Sequence, residues 1–268
     1  WTPEALESKL DVTLGARYTV DKRSARKNSI YFVGGEQSGS DDWSNFNPSI
    51  TVDYNWTDEL STYAKVVTAY KAGGFNTRST EAGFQPPFDE EEMTSYELGL
   101  KSSWLNNRVS VNAAVFRADY TDMQTQQITD NSTIFLTDVY NVGEAQIDGF
   151  EIDMMAVLLR GLTLQLSYGY TDADFVEYID QRGGSPTFGQ DISAGAKMPY
   201  APENNYSVGL DYQRGIGSGA NTALLTASLD YSWTDERYGT AVNDDIEGFF
   251  LDDYGIVNAR LALSEMSV

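Results

Sequence analysis

Strict alternation of apolar with polar or small residues recurs along this chain. Ser110–Tyr120, Thr163–Tyr170, Tyr206–Gln213 and Leu224–Trp233 each place apolar side chains on one face and small or polar ones on the other. A backbone with period two makes such a segment a strand with one face in oil and one in water. About ten such segments follow one another, joined in turn by tight connections and long polar ones, the pattern of a β-barrel crossing an outer membrane.

The spacing predicts strands at Lys9–Val20, Pro48–Trp56, Leu60–Gly73, Met93–Trp104, Arg108–Asp122, Val139–Val157, Leu162–Phe175, Tyr200–Gln213, Thr222–Thr234 and Tyr254–Ser264. Thr57–Glu59, Leu105–Asn107, Leu158–Gly161 and Arg214–Asn221 are the short connections. Asp21–Asn47, Gly74–Glu92, Met123–Asp138, Val176–Pro199 and Asp235–Asp253 are the long ones. Strict alternation of the two classes fits antiparallel strands with short periplasmic turns and long outer loops. The predicted lipid face includes Val12, Leu14, Ala16 and Tyr18; Ile50, Val52, Tyr54 and Trp56; Tyr96, Leu98, Leu100 and Trp104; and Leu225, Ala227, Leu229, Tyr231 and Trp233. The opposite faces read Thr13, Gly15, Arg17; Glu97, Gly99, Lys101; and Thr163, Gln165, Ser167, which suits an aqueous lumen. Aromatics gather at strand ends, as interface girdles require. In the third segment, Tyr63–Lys71 alternates poorly, and its inward face is left open.

Composition narrows the function. The 268 residues carry a formal charge of −22 and no Cys or His. Without His or Cys the chain has no Ser-His-Asp or Cys-His catalytic site of its own, and excess acid argues against nucleic acid. Mean hydropathy is −0.39, and no apolar run approaches the ~20 residues of a membrane helix; alternation averages hydropathy away, so neither fact opposes a barrel. No signal peptide is visible at Trp1–Leu10, and the sequence reads as a fragment or mature segment.

Particular motifs carry a family resemblance. Tyr63–Asn76 (YAKVVTAYKAGGFN), Tyr96–Ser102 (YELGLKS), Asn107–Asp122 (NRVSVNAAVFRADYTD) and Asn141–Asp153 (NVGEAQIDGFEID) resemble the TonB-dependent outer-membrane receptors. Asp11–Asp21 and Gly161–Asp174 look like further strands of the same barrel. The resemblance implies an all-β, antiparallel transmembrane barrel of about 22 strands around a plug. Residues 1–268 are then expected to supply about ten of those strands, roughly the eleventh to the twentieth, with the plug and TonB box absent from the sequence given. It further implies a Gram-negative outer-membrane location and import of a scarce ligand, often a ferric siderophore, powered by TonB. Lipid and lipopolysaccharide are expected neighbours, a metal chelate the expected ligand, and covalent catalysis, cofactor and structural metal are expected to be absent. The alternatives are a self-contained ten-strand adhesin barrel and a soluble β-rich glycan-binding protein; barrel size and solubility without detergent discriminate them.

Individual site residues are harder to read. Outer-loop residues Phe75, Asn76, Arg78, Phe84, Tyr178, Phe188 and Tyr238 are candidates for ligand contact, set against loop packing as the plainer explanation of each. Carboxylates gather at Glu81 and Asp89–Glu92; at Asp172, Asp174, Glu177, Asp180 and Asp191; and at Asp244, Asp245, Glu247, Asp252 and Asp253. Hard oxygen donors suit Ca²⁺ or Mg²⁺, bridging lipopolysaccharide or ordering a loop, but their spacing matches no EF-hand or RTX repeat, and solvated loop charge is the plainer explanation. Such loops disfavour a strongly anionic ligand. Arg108, Arg160 and Arg214 lie in or beside short turns and read as anchors to the inner interface.

Overall fold

The computed structural model describes residues 9–28, 36–78, 84, 86–130, 136–218, 221–242 and 249–265. Among the described residues fourteen strands are present: β1 (Leu10–Asn28), β2 (Glu36–Thr57), β3 (Leu60–Lys71), β4 (Glu91–Trp104), β5 (Val109–Thr121), β6 (Gln124–Asp130), β7 (Leu136–Asn141), β8 (Gly143–Leu159), β9 (Leu162–Tyr178), β10 (Asn204–Ser218), β11 (Asn221–Thr234), β12 (Arg237–Tyr238), β13 (Phe250–Leu251) and β14 (Tyr254–Glu265). Ten form one antiparallel sheet in the order β1-β2-β3-β4-β5-β8-β9-β10-β11-β14. The pairs β6-β7 and β12-β13 are separate hairpin sheets within two long connections. All ten expected membrane strands are therefore present. The sheet is open, with β1 and β14 at its edges among the described residues.

Register makes the two faces explicit. Directly opposed residues share a face, and Val12, Val52, Ala64, Leu98, Val115, Phe150 and Tyr170 oppose one another across β1 to β9. On the other face Ser61, Lys101, Asn112, Asp153, Ser167, Ser207 and Ser232 run from β3 to β11. Apolar side chains stay bare: Leu98 is 58% exposed and Leu261 76%. A contiguous apolar belt of this kind would be an aggregation liability in water, whereas lipid covers it at no cost. Rings cluster at the belt's rims. Tyr54 meets Trp56 edge-on at 4.6 Å near the short-turn end, and Tyr206 stacks on Trp233 at 5.3 Å near the long-loop end.

The open question about the third segment is settled by pairing. Tyr63 and Lys65 lie opposite Gly99 and Glu97, so they belong to the polar face. The Tyr63 hydroxyl donates to Glu97 at 2.6 Å, and Lys101 sits 5.3 Å from the centre of its ring. Glycine is needed at 99 because the Tyr63 ring lies over it, 2.5 Å from where a Cβ would stand.

Three boundaries differ from expectation. The long connection expected at Asp21–Asn47 is mostly sheet, since β1 continues to Asn28 and β2 begins at Glu36. Past Val20 both faces of this ribbon are wetted, so hydrophobic period vanishes while pairing persists, helped by opposed charges at Lys22–Asp42 and Arg23–Asp41. Val139–Val157 is not one strand: the chain breaks at Val142, and β7 pairs back with β6. The fourth short connection shrinks because β10 and β11 stay paired out to Ser218–Asn221.

An arginine at Leu100, mid-belt, should cost about 2–4 kcal/mol of folding stability. An arginine at Gln165, on the polar face beside Asp211, should cost less than about 0.5 kcal/mol. Denaturant titration of the full-length receptor refolded into vesicles measures both; equal costs would refute the face assignment.

Candidate functional site on the outer loops

Beyond the outer ring of aromatics the chain builds a second, smaller core. Val142, Ala145, Phe175, Tyr178 and Ala196 are buried together, with Tyr120, Met123, Tyr140, Ile192, Met198 and Val242 packed against them. Ala145 opposes Tyr120 and Phe175. By the alternation of their strands these residues continue the polar face, not the lipid face. The outer loops thus fold toward the polar side of the wall.

Carboxamide side chains join one loop to the next. Asn76 donates to the Val139 carbonyl and accepts from the Val139 N–H, both at 2.9 Å, as a paired strand residue would. Asn141 accepts from Asp89 N–H at 2.7 Å and donates to the carbonyls of Asp89 and Asp122. Gln124 donates to Asp89 O at 2.9 Å, and its N–H bonds Glu91 at 2.7 Å. Gln127 links Ile179 O and Gln181 N at 3.0 and 2.7 Å. The bridges Ile179–Asp191 and Ala196–Val242 extend the chain of contacts to the last loop.

Two rigid corners support this surface. Gly73 lies where a Cβ would strike the Trp43 ring and Phe88 O, and Gly74 bridges Phe88 through two backbone bonds of 2.9 and 2.8 Å. Trp43 meets Phe75 edge-on at 6.3 Å, and Phe75 stacks on Phe84 at 5.6 Å. At the second corner Asp180 has no exposed surface. Its carboxylate accepts from Arg182 Nε and Nη2 at 3.0 Å each, from Ser185 Oγ at 2.5 Å and from Thr187 Oγ1 at 2.6 Å. Burial works to raise its pKa, but the guanidinium, hydroxyls and Arg182 N–H together outweigh that and hold it far below the usual carboxylate range. Nearby, Asp191 is held low by the N–H groups of Tyr178 and Ser193.

The sequence candidates fall into two groups. Phe84 and Tyr178 are 0% and 2% exposed; as packed here they hold loops and offer a ligand no surface. Burial also raises the Tyr178 phenol's pKa. Asn76 is the loop staple described above. Phe75 is half-buried against Trp43 and Phe84, and Tyr238 is half-buried against Phe250 at 5.2 Å. Arg78 is exposed, and Phe188 is 58% exposed. Sequence reasoning missed Trp43, Gln124, Gln127 and Asn141, as well as Tyr200, which is 67% exposed at a φ of 57°. Among the described residues no group of three acidic side chains is placed to hold a metal ion. Glu81, Asp244, Asp245 and Glu247 lie outside the described residues.

An open antiparallel wall with a lipid-facing belt, a polar inner face and inward-folded loops defines an outer-membrane barrel of the receptor type. The family model "TonB dependent receptor-like, beta-barrel" matches residues 4–265, and the chain belongs to that family, whose barrels lie in the Gram-negative outer membrane. It is 26% identical over 183 residues to the probable TonB-dependent siderophore receptor PiuA of Acinetobacter baumannii, covering 68% of this chain and 23% of that one. It is 25% identical over 244 residues to the metal-pseudopaline receptor CntO of Pseudomonas aeruginosa, covering 90% and 30%. Among solved structures, the ferric yersiniabactin uptake receptor FyuA of Yersinia pestis superposes with a TM-score of 0.69 at 19% identity, over 94% of this chain and 35% of that one. The chain thus spans about a third or less of each of these proteins.

Asp180→Asn should destabilise the 180–190 turn by about 2–3 kcal/mol, read as faster amide exchange there with the rest of the sheet unchanged. Because the folded pKa is depressed, the wild-type contribution is complete above the unfolded value of about 3.9 and is lost only as pH falls through the folded one. Exchange in this turn should therefore be no more pH-sensitive between pH 8 and 5 than the base-catalysed background. Separately, Asn141→Ala should speed exchange in both 86–91 and 122–128; an effect confined to one of the two would show that the staple does not couple them.

Proposed function

We propose that the protein containing these residues is an active outer-membrane transporter for a scarce ligand, a siderophore or similar metal chelate, driven through TonB. In this reading the chain supplies about the eleventh to twentieth strands of the wall, an inner face that holds a plug, and outer loops that capture ligand. It performs no covalent chemistry. One observation carries the proposal: four outer connections are stitched into a single surface over the polar side of an otherwise lipid-facing wall. Loops that merely closed hairpins would need no mutual hydrogen bonds. Two relatives, the probable TonB-dependent siderophore receptor PiuA and the metal-pseudopaline receptor CntO, support the ligand class.

Within that surface the exposed candidates Arg78 and Phe188 and the half-buried Phe75 and Tyr238 are the residues proposed to touch ligand. Phe84, Tyr178 and Asn76 would act by holding the loops in place. The acidic balance of the chain, −22, supports a neutral, cationic or metal-bridged ligand over a polyanionic one.

Uptake of a panel of ferric chelates by cells carrying the full-length receptor tests the transport reading. Accumulation should require both the receptor and TonB, and binding should persist without TonB. Uptake that is indifferent to TonB would overturn the proposal. Phe188→Ala and Tyr238→Ala should each weaken binding by about five- to thirtyfold. Tight, salt-insensitive binding of a polyanionic chelate would sink the charge argument alone.

A further inference from the structure

The short-turn end of the wall carries a feature that neither ligand capture nor barrel closure requires. After Trp104 the chain turns through Leu105, Asn106 and Asn107, whose φ angles are 56°, 57° and 62°. Three successive non-glycine residues in the left-handed region are costly, and leucine is poorly suited to it. The conformation presents Leu105 with 70% of its surface exposed. On the neighbouring turn Leu158 and Leu159 are also exposed. Leu159 opposes Leu162 on the lipid face, and Trp104 opposes Val109 there. These leucines therefore prolong the apolar belt past its rim of tryptophans and into the turns.

Each of the two turns also carries an arginine and no acid. Arg108 reaches across from its own turn. Its Nη2 donates to Val157 O at 2.9 Å and Leu158 O at 3.2 Å, and Val157 N donates to Arg108 O at 2.7 Å. The two turns are thereby one unit. Among the described residues Arg108 Nε and Nη1 have no acceptor, and Arg160, two residues beyond Leu158, has none for any of its N–H groups. Asp211 on β10 opposes Thr163, three residues past Arg160, but on the polar face, where its carboxylate accepts from Gln165 at 3.1 Å; Asp58 and Glu59 belong to the turn adjoining that of Leu105–Arg108, tied on through Glu59 O and Ser103 N at 2.8 Å.

We propose that these two turns form a headgroup site for an anionic glycerophospholipid of the inner leaflet. Leu105, Leu158 and Leu159 enter the boundary between acyl chains and headgroups, while Arg108 and Arg160 offer guanidinium N–H groups to the phosphodiester. Continuity with the lipid-facing belt identifies a lipid as the occupant, and the guanidinium charge selects an anionic one. A chain of net charge −22 has acids in abundance, yet these two turns hold none. The proposal rests on the family's outer-membrane placement and is independent of the ligand and of TonB, so it stands or falls separately from the transport reading.

Native mass spectrometry of the full-length receptor tests it, with phosphatidylglycerol, phosphatidylcholine of the same acyl chains, or lipopolysaccharide added in turn. Wild-type receptor should retain phosphatidylglycerol in preference to phosphatidylcholine. Arg160→Gln should reduce that preference by about fivefold, and Arg160→Lys should keep most of it. Arg160 makes no described bond within the protein, so this variant leaves the fold intact. Leu105→Ser should lower retention of both phospholipids. Arg26→Gln, in the outer β1-β2 ribbon, should change nothing. The proposal is overturned if Arg160→Gln and the Arg108→Gln/Arg160→Gln pair hold phosphatidylglycerol as wild type does. It is equally overturned if these variants lose lipopolysaccharide and not phosphatidylglycerol.

Discussion

Hydrocarbon offers no partner to a backbone N–H or C=O, and the rest of this structure follows from that constraint. Each strand in the apolar belt must find its hydrogen bonds on neighbouring strands. The sheet meets the requirement by pairing strands that follow one another through the belt, each antiparallel to the last. Once every backbone group is paired, only the side chains remain to satisfy two different solvents. Period two does this directly, placing Leu98 and Val115 on one side and Glu97 and Lys101 on the other. An open edge in lipid would leave a whole row of groups unmet, so β1 and β14 can work only within a closed wall.

Above the belt water replaces lipid, and the constraint relaxes without disappearing. Loops folding inward carry their own backbone groups into a small core, where these too need partners. Asn76, Gln124, Gln127 and Asn141 supply them. A carboxamide presents one acceptor and two N–H donors, the same complement as a peptide group plus one donor. It can therefore complete a strand-like pairing between loops whose main chains do not run side by side. Asp180 achieves the same end with charge, satisfying one turn through a buried carboxylate that accepts from four groups.

The ten membrane strands, their order and the two faces of all but β3 were legible in the sequence, because lipid enforces strict alternation. Legibility failed where lipid no longer does so. The β1-β2 ribbon past Val20 is polar on both faces, and β3 mixes Tyr63 and Val67 into its polar face, so periodicity carries little signal at either place. Tyr140 and Val142 alternate about Asn141 as residues of a membrane strand would, yet they serve the loop core. No local pattern separates those two uses of an apolar residue. The same ambiguity affected Phe84 and Tyr178, aromatic loop residues whose burial depends on what other loops bring to them. The staples were hidden for a simpler reason: isolated Asn and Gln in polar stretches look like solvent-facing residues until their partners are placed.

The stagger between strands decides which residues meet the outer surface of the membrane. Leu14, Ile50, Val66 and Tyr96 oppose one another across β1 to β4, and the same row continues through Arg117, Asp148 and Asp172 on β5, β8 and β9. A row that begins in oil ends in charge. Strand tilt explains this, because a membrane plane cuts a sheared sheet obliquely to its hydrogen-bonded rows. Arg117 and Asp148 close a two-pronged pair, at 2.7 and 2.9 Å, with Gln146 donating to the same carboxylate. Exposed on the outer face of the wall, that pair lies beyond the belt on its own strands even though its row-mates lie within it. Height in the membrane therefore belongs to the strand and its tilt, and an apolar belt read from any one strand must be offset before it is applied to the next.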